Sequence, residues 1–104
     1  MYQGLTIPDT YELKDYTVDM FIDFIEEMYK KQERCKFLVY LTLKGGSDSI
    51  RIKVSCYKDY YRGQVVSISP QGGKHADCSV KDPGYRDFVK KMVHYGETAY
   101  YYAI

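Results

Sequence analysis

Alternating apolar and polar residues in two neighbouring segments constrain the fold of this chain more than any other feature. The alternation occupies residues 36–44 and 49–56, and the segment Gly45-Gly46-Ser47-Asp48 between them has the composition and length of a hairpin loop. A loop of four residues places Lys44 opposite Ser49. The large apolar residues then share one face of the hairpin, as the pairs Leu43 with Ile50, Leu41 with Ile52, Val39 with Val54 and Phe37 with Cys56.

The opposite face of this predicted hairpin is mixed in character. It carries Leu38, Tyr40 and Thr42 across from Ser55, Lys53 and Arg51. Such a surface is typical of an antiparallel sheet that meets water on one side. We therefore expect this face to be solvated or to bind a partner.

The segment before the hairpin has helical periodicity. Its apolar residues recur at the spacing of one helix face, at Val18, Phe21, Ile22, Ile25, Met28 and Tyr29. Thr17 suits the N-cap, and Asp19 complements the positive end of the helix dipole. The sequence predicts an amphipathic helix from about Val18 to Glu33.

Residues 1–16 lack this helical period and contain Pro8. They predict an extended N-terminal arm, part of which can add to a sheet edge between Tyr11 and Lys14.

The second half of the chain predicts another hairpin. Residues 64–69 and 75–80 flank Gln71-Gly72-Gly73, a suitable turn. A three-residue loop pairs Ile68 with Ala76 and Val66 with Cys78.

A second helix and a last strand are predicted after this hairpin. Asp82 suits the helix cap, Pro83 suits the first helical position, and Gly96 is a typical helix stop. The buried stripe of this helix comprises Tyr85, Phe88, Val89 and Met92. The β-prone residues 97–104 then alternate as a strand does.

The predicted order is therefore α-β-β-β-β-α-β. It indicates an α+β fold in which an antiparallel sheet of about four to five strands is covered on one face by two helices. The length of 104 residues fits a single domain spanning residues 1–104.

Charge and cysteine content narrow the classes of function. The formal net charge of +1 gives no global attraction to nucleic acid or to an anionic membrane. Cys35, Cys56 and Cys78 are odd in number and widely spaced in sequence, which argues against a disulfide framework and a zinc site. The cysteines, together with an N-terminus that lacks signal-peptide features, favour a reducing, cytoplasmic compartment.

The sequence does not predict an enzyme. The only histidines are His75 and His94. His75 lies near Asp77 and Cys78, but neighbouring strand residues point to opposite faces, so this pair cannot serve one reactant together. His94 is expected to interact with the last carbonyl groups of its helix. We expect neither a catalytic site, nor a metal, nor a cofactor.

Tyrosine supplies the strongest functional signal, with 13 residues in the chain and no tryptophan. Its large ring, polar tip and few rotatable bonds give contact area at low entropic cost. The densest cluster lies in residues 57–62, a segment predicted to connect the two hairpins. The expected partner-binding residues are Tyr57, Lys58, Tyr60, Tyr61 and Arg62, supported by Tyr40, Arg51 and Lys53 on the open sheet face.

A second cluster, Tyr100-Tyr101-Tyr102, falls in the predicted last strand. A terminal tyrosine-rich strand could pair edge to edge with another copy of the chain, so a homo-oligomer is a further possibility.

Two resemblances accompany these predictions. The segment from Phe37 to Lys44 after the first helix, with Gly72-Gly73-Lys74 before the second, resembles the element order of the Alu-domain subunits of the signal recognition particle. That resemblance implies RNA binding on the sheet. In size, neutral charge and arrangement the chain also looks like small phage- or plasmid-encoded inhibitors, such as some anti-CRISPR proteins, which occlude a larger enzyme.

The sequence thus favours a small non-enzymatic protein-binding module, of the type of a phage or plasmid stoichiometric inhibitor. The alternative is single-stranded nucleic-acid or RNA binding, with tyrosine rings stacked on bases. In that alternative Arg51, Lys53, Lys58 and Arg62 contact phosphates, and binding weakens steeply with salt.

Overall fold

The structure is a computed structural model that describes residues 9–32, 34–42, 49–71 and 74–102. For residues 99–102 it describes the backbone only. It contains five strands and two helices in the order β-α-β-β-β-β-α. The elements are β1 (Asp9–Leu13), α1 (Val18–Lys31), β2 (Cys35–Thr42), β3 (Ser49–Asp59), β4 (Gly63–Pro70), β5 (Ala76–Ser79) and α2 (Tyr85–Tyr102).

The strands form one sheet in the order β1-β2-β3-β4-β5, which is also their order along the chain. Strands β2 to β5 are antiparallel neighbours, whereas β1 lies parallel to β2 because α1 connects them. The predicted α+β class, with a mostly antiparallel sheet and two helices packed on it, is confirmed. So is the prediction that part of the N-terminal arm adds to the sheet edge, as β1; residues 1–8 lie outside the described residues.

Both helices cover the same face of the sheet, and the core lies between the helices and the sheet. The core residues from the strands are Phe37, Val39, Leu41, Ile50, Ile52, Val54, Cys56, Val66 and Ile68, and those from the helices are Phe21, Ile22, Ile25, Tyr29, Tyr85, Val89, Met92 and Val93. Tyr11, Phe24 and Phe37 extend this core under the edge strand through edge-to-face ring contacts.

Helix α1 begins as the sequence predicts. Thr17 is the N-cap, and its hydroxyl accepts a hydrogen bond from the Met20 backbone N–H at 3.2 Å. The helix ends at Lys31, slightly before the predicted end at Glu33, which lies outside the described residues.

The predicted register of the first hairpin is wrong by two residues. Thr42, and not Lys44, faces Ser49, so the pairs are Leu41 with Ile50, Val39 with Ile52, Phe37 with Val54 and Cys35 with Cys56. A shift of two residues keeps every side chain on its predicted face, because strand side chains alternate with a period of two. Hydrophobic pattern alone therefore could not detect the error. The predicted loop lies outside the described residues.

The second hairpin has the predicted register, with Ile68 opposite Ala76 and Val66 opposite Cys78. The predicted connection over residues 57–63 is wrong for its first part, because β3 continues to Asp59 and only Tyr60, Tyr61 and Arg62 form the turn.

Helix α2 corrects the prediction for the C-terminus. Asp82 does accept a hydrogen bond from the Gly84 backbone N–H at 2.7 Å, but the helix then continues through Gly96 to Tyr102, where a strand was predicted. Gly96 does not end the helix; it lies against the sheet, where a Cβ would be 3.2 Å from the Pro70 Cβ. The glycine thus serves close packing. Pairing of a C-terminal strand between copies of the chain loses its structural basis.

Candidate binding surface on the open sheet face

The face of the sheet turned away from both helices, hereafter the open face, carries mostly polar residues in regular rows. Opposed residues on neighbouring strands form its rows: Lys36, Ser55, Ser67 and Asp77 in one, Leu38, Lys53 and Ser69 in the next, and Tyr40 with Arg51 beyond. These residues share a face because each lies two positions from the next along its strand. The predicted opposition of a buried and a mixed face is therefore confirmed, with the partners adjusted for the register.

The hairpin between β3 and β4 projects from one end of this grid, and its turn is defined by local hydrogen bonds. The Asp59 Oδ1 atom accepts from the backbone N–H groups of Tyr61 and Arg62, at 2.8 and 3.0 Å. These two bonds hold the pKa of Asp59 below its usual range. Gly63 closes the turn with a φ of +72°, a conformation that glycine adopts without strain.

Further bonds fix the base of the same hairpin. The Tyr29 hydroxyl on α1 donates to the Tyr57 carbonyl and accepts from the Val65 backbone N–H at 3.2 Å. On the other side, the Ser79 hydroxyl donates to the Arg62 carbonyl at 2.9 Å. The turn is therefore held by a helix and by the neighbouring strand.

Four residues at this end form the corner network, defined as Tyr57, Asp59, Arg62 and Asp77. Asp77 accepts a hydrogen bond from the Tyr57 hydroxyl at 2.7 Å and pairs with Arg62 at 3.0 Å. The pKa of Asp77 lies below its usual value, mainly because of Arg62 and further because of the Tyr57 hydroxyl. The bond to Asp77 in turn raises the pKa of Tyr57. Asp77 is therefore ionised at neutral pH, and Arg62 is engaged by a carboxylate.

The tip of the hairpin presents two tyrosines to solvent. Tyr60 is 89 % exposed and Tyr61 is 93 % exposed. Their rings stack on each other, with centroids 4.9 Å apart and planes inclined by 17°. This pair, hereafter the tyrosine tip, is an exposed aromatic surface on a turn fixed by the bonds above.

The middle of the open face contains a polar hollow of about 230 Å³, hereafter the serine hollow. It is lined by Lys36, Lys53, Ser55, Ser67, Ser69 and His75. Ser67 lies at its floor and is only 7 % exposed. Its Oγ is 2.7 Å from the His75 Nε2. No carboxylate lines the hollow among the described residues.

The structure separates the predicted site residues into two groups. Tyr57, Tyr60, Tyr61 and Arg62 lie together at the hairpin end, and exposed Lys58 lies beside them on β3. The half-buried Tyr40 and the exposed Arg51 and Lys53 lie on the open face farther along. Arg51 and Tyr57 are separated by about 20 Å along β3 at the usual rise of a strand. The two groups form neighbouring surfaces.

Sequence reasoning missed the residues that organise these surfaces. It did not place Asp59 and Asp77 around Arg62, nor Ser67 against His75. The signal for the serine hollow was present, because Ser67 and Ser69 in the second hairpin share the face opposite to Val66 and Ile68. The contacts with Asp77 also required the pairing of β3 with β4, which the sequence did not predict, and the turn at Tyr60 was hidden within the predicted connection.

The two histidines have different neighbours in the described part of the chain. His75 is exposed, and it meets the Ser67 hydroxyl, a hydroxyl–imidazole pair from which general-base catalysis can start. Asp77, however, is bound to Tyr57 and Arg62 rather than to the imidazole. His94 lies within α2 instead of near its end, with Nδ1 4.0 Å from the Glu97 Oε1.

The structure also brings together two cysteines that are widely spaced in sequence. Cys35 and Cys56 are directly opposed on β2 and β3, and both are free thiols, as is Cys78. Burial, reinforced by the neighbouring Cys35, raises the pKa of the Cys56 thiol. Cys56 is buried, whereas Cys78 is half-buried. Within the described ranges no group of three His, Cys, Asp or Glu residues could hold a metal ion.

Comparison of the chain with models of known protein families, with curated proteins and with solved structures finds no match. The two resemblances drawn from the sequence therefore stay expectations. Among the described residues, neither helix combines the length and the apolar character that crossing a membrane requires.

Proposed function

We propose that this protein is a non-enzymatic binding module that recognises another protein through the tyrosine tip, and that it acts by contact, as a stoichiometric inhibitor or an adaptor does. The observation that supports this proposal is the stacked, almost fully exposed pair Tyr60 and Tyr61 on a fixed turn. Tyrosine is among the residues that contribute most to protein interfaces.

Preorganisation of the hairpin strengthens the argument. Binding normally costs free energy for ordering each flexible side chain and loop. Here Asp59 holds the turn, Tyr29 and Ser79 hold its base, and the two rings already contact each other. The tip therefore loses less conformational entropy on binding than a free loop of the same sequence.

The charges around the tip favour a protein over nucleic acid. Arg62 is paired with Asp77 and also lies 3.5 Å from Asp59. Two carboxylates around one guanidinium leave the corner network with no net positive charge to attract phosphates. Lys58 adds one exposed cation beside it. An apolar pocket on a protein partner fits two exposed rings in this environment better than a phosphodiester backbone does.

Nucleic-acid binding is the second candidate because of a different surface. Arg51 and Lys53 project from the open face beside Tyr40, which is directly opposite Arg51. A sheet face with cations and an aromatic ring can hold a single strand by stacking and by phosphate contacts. This candidate uses the open face and leaves the tyrosine tip without a role.

The experiment that tests the proposal is affinity capture from a lysate of the source cells, with and without nuclease. The wild type is compared with the double variant Y60A/Y61A and with the open-face variant R51Q/K53Q. We expect a protein that resists nuclease, is captured in a one-to-one ratio, and is lost with Y60A/Y61A. Its recovery with R51Q/K53Q should stay close to that of the wild type.

Tyr95→Ala is the matched control, because Tyr95 is a partly exposed tyrosine on α2, on the opposite side of the sheet from the open face. Equal loss of the partner in Y95A and in Y60A/Y61A would contradict recognition through the tip. Recovery that depends on nuclease, is lost in R51Q/K53Q and falls steeply with salt would support the nucleic-acid candidate instead.

A further inference from the structure

We propose that the serine hollow binds a phosphate dianion, as inorganic phosphate or as the terminal group of a phosphate monoester. This site is separate from the tyrosine tip and does not rest on the function proposed for it. The hollow is defined by Lys36, Lys53, Ser55, Ser67, Ser69 and His75, and it has a volume of about 230 Å³.

The shape of the hollow follows from side-chain size. Ser55 on β3 and Ser67 on β4 are directly opposed, and Ser69 is the next residue of β4 on the same face. The serine side chains of the lining are short, whereas those of Lys36, Lys53 and His75 beside them are longer. A small polar group can therefore reach the sheet surface at this place.

The positions of the three serines on the sheet suit a tetrahedral anion. Neighbouring strands lie about 4.8 Å apart, and alternate residues of one strand lie roughly 6.6 Å apart. Donors at these intervals surround a phosphate whose oxygens accept from more than one side. Ser67 is the best placed of the three, because it is buried at the floor of the hollow.

The charge of the lining favours an anion with two negative charges. Lys36 and Lys53 are neighbours of the serines in the register, with Lys36 opposite Ser55 and Lys53 opposite Ser69. Asp77, opposite Ser67, is the nearest carboxylate in the same row, but its charge is already engaged by Arg62 at 3.0 Å. The lysines therefore face the hollow with no carboxylate in its lining to neutralise them.

The contact between Ser67 and His75 completes the donor set. The two atoms are 2.7 Å apart, and either can be the donor. When the Nε2–H of His75 donates to the Ser67 Oγ, the hydroxyl proton of Ser67 is free to turn toward an oxygen of the anion. The imidazole then orients the Ser67 hydroxyl and keeps its own hydrogen bond to it.

The experiment is a titration of the ¹⁵N-labelled full chain with inorganic phosphate, followed by amide NMR shifts and matched at each point to sodium chloride of equal ionic strength. We expect saturable shifts centred on the amides of Ser55, Ser67 and Ser69. The variant K36Q/K53Q should weaken the dissociation constant for phosphate at least about tenfold, because charge-assisted hydrogen bonds are the strong ones. Ser67→Ala should weaken it by a smaller factor.

The matched control is K30Q/K31Q, which removes the same charge from two exposed lysines on α1. It should leave the dissociation constant within about twofold of the wild type, since only long-range attraction is lost. Y60A/Y61A should also leave it unchanged, so this result is independent of the partner-capture experiment. Shifts that do not saturate, or equal weakening by K30Q/K31Q and K36Q/K53Q, would overturn the site.

Two further probes identify the form of the ligand. Methyl phosphate represents a monoester, and dimethyl phosphate represents the singly charged diester of a nucleic-acid backbone. We expect methyl phosphate to bind about as tightly as inorganic phosphate and dimethyl phosphate to bind at least about tenfold more weakly, because it carries half the charge. Equal binding of the two esters would refute recognition of a dianion.

Discussion

The two faces of the sheet use the same strands for different purposes. The covered face consists chiefly of aliphatic and aromatic side chains. Its fully buried strand residues include Phe37, Val39, Leu41, Ile50, Ile52 and Val54. The open face carries lysine, serine, tyrosine and a carboxylate network on the alternate positions of those strands. Because alternation separates the two sets, substitutions on the open face can change recognition with little effect on the core. The comparison predicts large losses of stability on one face and small ones on the other.

The largest expected effect comes from Phe37→Ala. Phe37 is fully buried and contacts the rings of Tyr11 and Phe24, so its loss leaves a cavity that these neighbours cannot fill. We expect the free energy of unfolding to fall by about 3–5 kcal/mol, measured by urea denaturation. Leu38→Ala, one residue away on the open face, should cost about 1 kcal/mol. Equal losses of stability for the two variants would contradict the expected difference between the faces.

Gly96→Val should have the next largest effect. A Cβ at this position would lie 3.2 Å from the Pro70 Cβ and 3.7 Å from the Ile50 Cδ1, so the larger valine side chain forces α2 away from the sheet. We expect a loss of about 1–3 kcal/mol in the free energy of unfolding.

The control for Gly96→Val is Lys91→Val, which puts the same side chain at an exposed position of α2. It tests helix propensity alone and should cost about 0.5 kcal/mol. Because valine has a higher helix propensity than glycine, a Gly96→Val variant at least as stable as the wild type would show that the close contact with Pro70 carries no energetic weight.

Asp77→Asn should have a smaller effect that depends on pH. The pKa of Asp77 is lowered in the folded protein, mainly by Arg62, so ionised Asp77 contributes stability above the unfolded pKa of about 3.9. That contribution disappears as the pH falls through the lower folded pKa. Because the side chains of Arg62 and Asp77 are 43 % and 35 % exposed, solvent screens the pair, and we expect a loss of about 0.5–1 kcal/mol at pH 7.

Urea denaturation at pH 7 and at a series of acidic pH values measures this difference. The stability of the variant should approach that of the wild type as the pH falls. Glu27→Gln, which removes an exposed carboxylate from α1, is the control and should show little difference at any pH. A difference for Asp77→Asn that stays constant down to acidic pH would exclude the ion pair as its cause.

The smallest effect on stability is expected for Y60A/Y61A. Both rings are almost entirely exposed and contact chiefly each other, so their removal should change the free energy of unfolding by no more than about 0.5 kcal/mol. Thermal denaturation of this variant beside the wild type measures the change. A large loss of stability would show that the tip is a structural element, and any loss of a partner would then need another explanation.

Much of the fold was predictable because burial and periodicity are local signals. The stripe of α1, its cap at Thr17, and the register of the second hairpin all follow from residues a few positions apart. The first hairpin was misplaced by two residues, since patterns of period two are unchanged by that shift. Gly96 was misread because its role depends on Pro70, a contact that exists only once α2 lies on the sheet.

The candidate site was predictable in composition and not in geometry. The exposure of Tyr60 and Tyr61 agrees with a contact surface, and both lie where the tyrosine cluster pointed. The pairing of Arg62 with Asp77 could not be derived, because Arg62 lies in the turn between β3 and β4. The sequence did not show where this turn begins and ends. That pairing bears on the proposed function, since it engages Arg62, one of the cations that nucleic-acid binding would have used.

The parallel pairing of β1 has a consequence for the order in which the molecule assembles. Strands β2 to β5 meet their neighbours through hairpins, so each pairing closes a short loop, whereas β1 reaches β2 only across the whole of α1. Closing the longer loop costs more chain entropy, which favours an early meander and a late edge strand. The amides of β1 should therefore be the first of the sheet to exchange with solvent, and the protein should lose this strand before it loses its core.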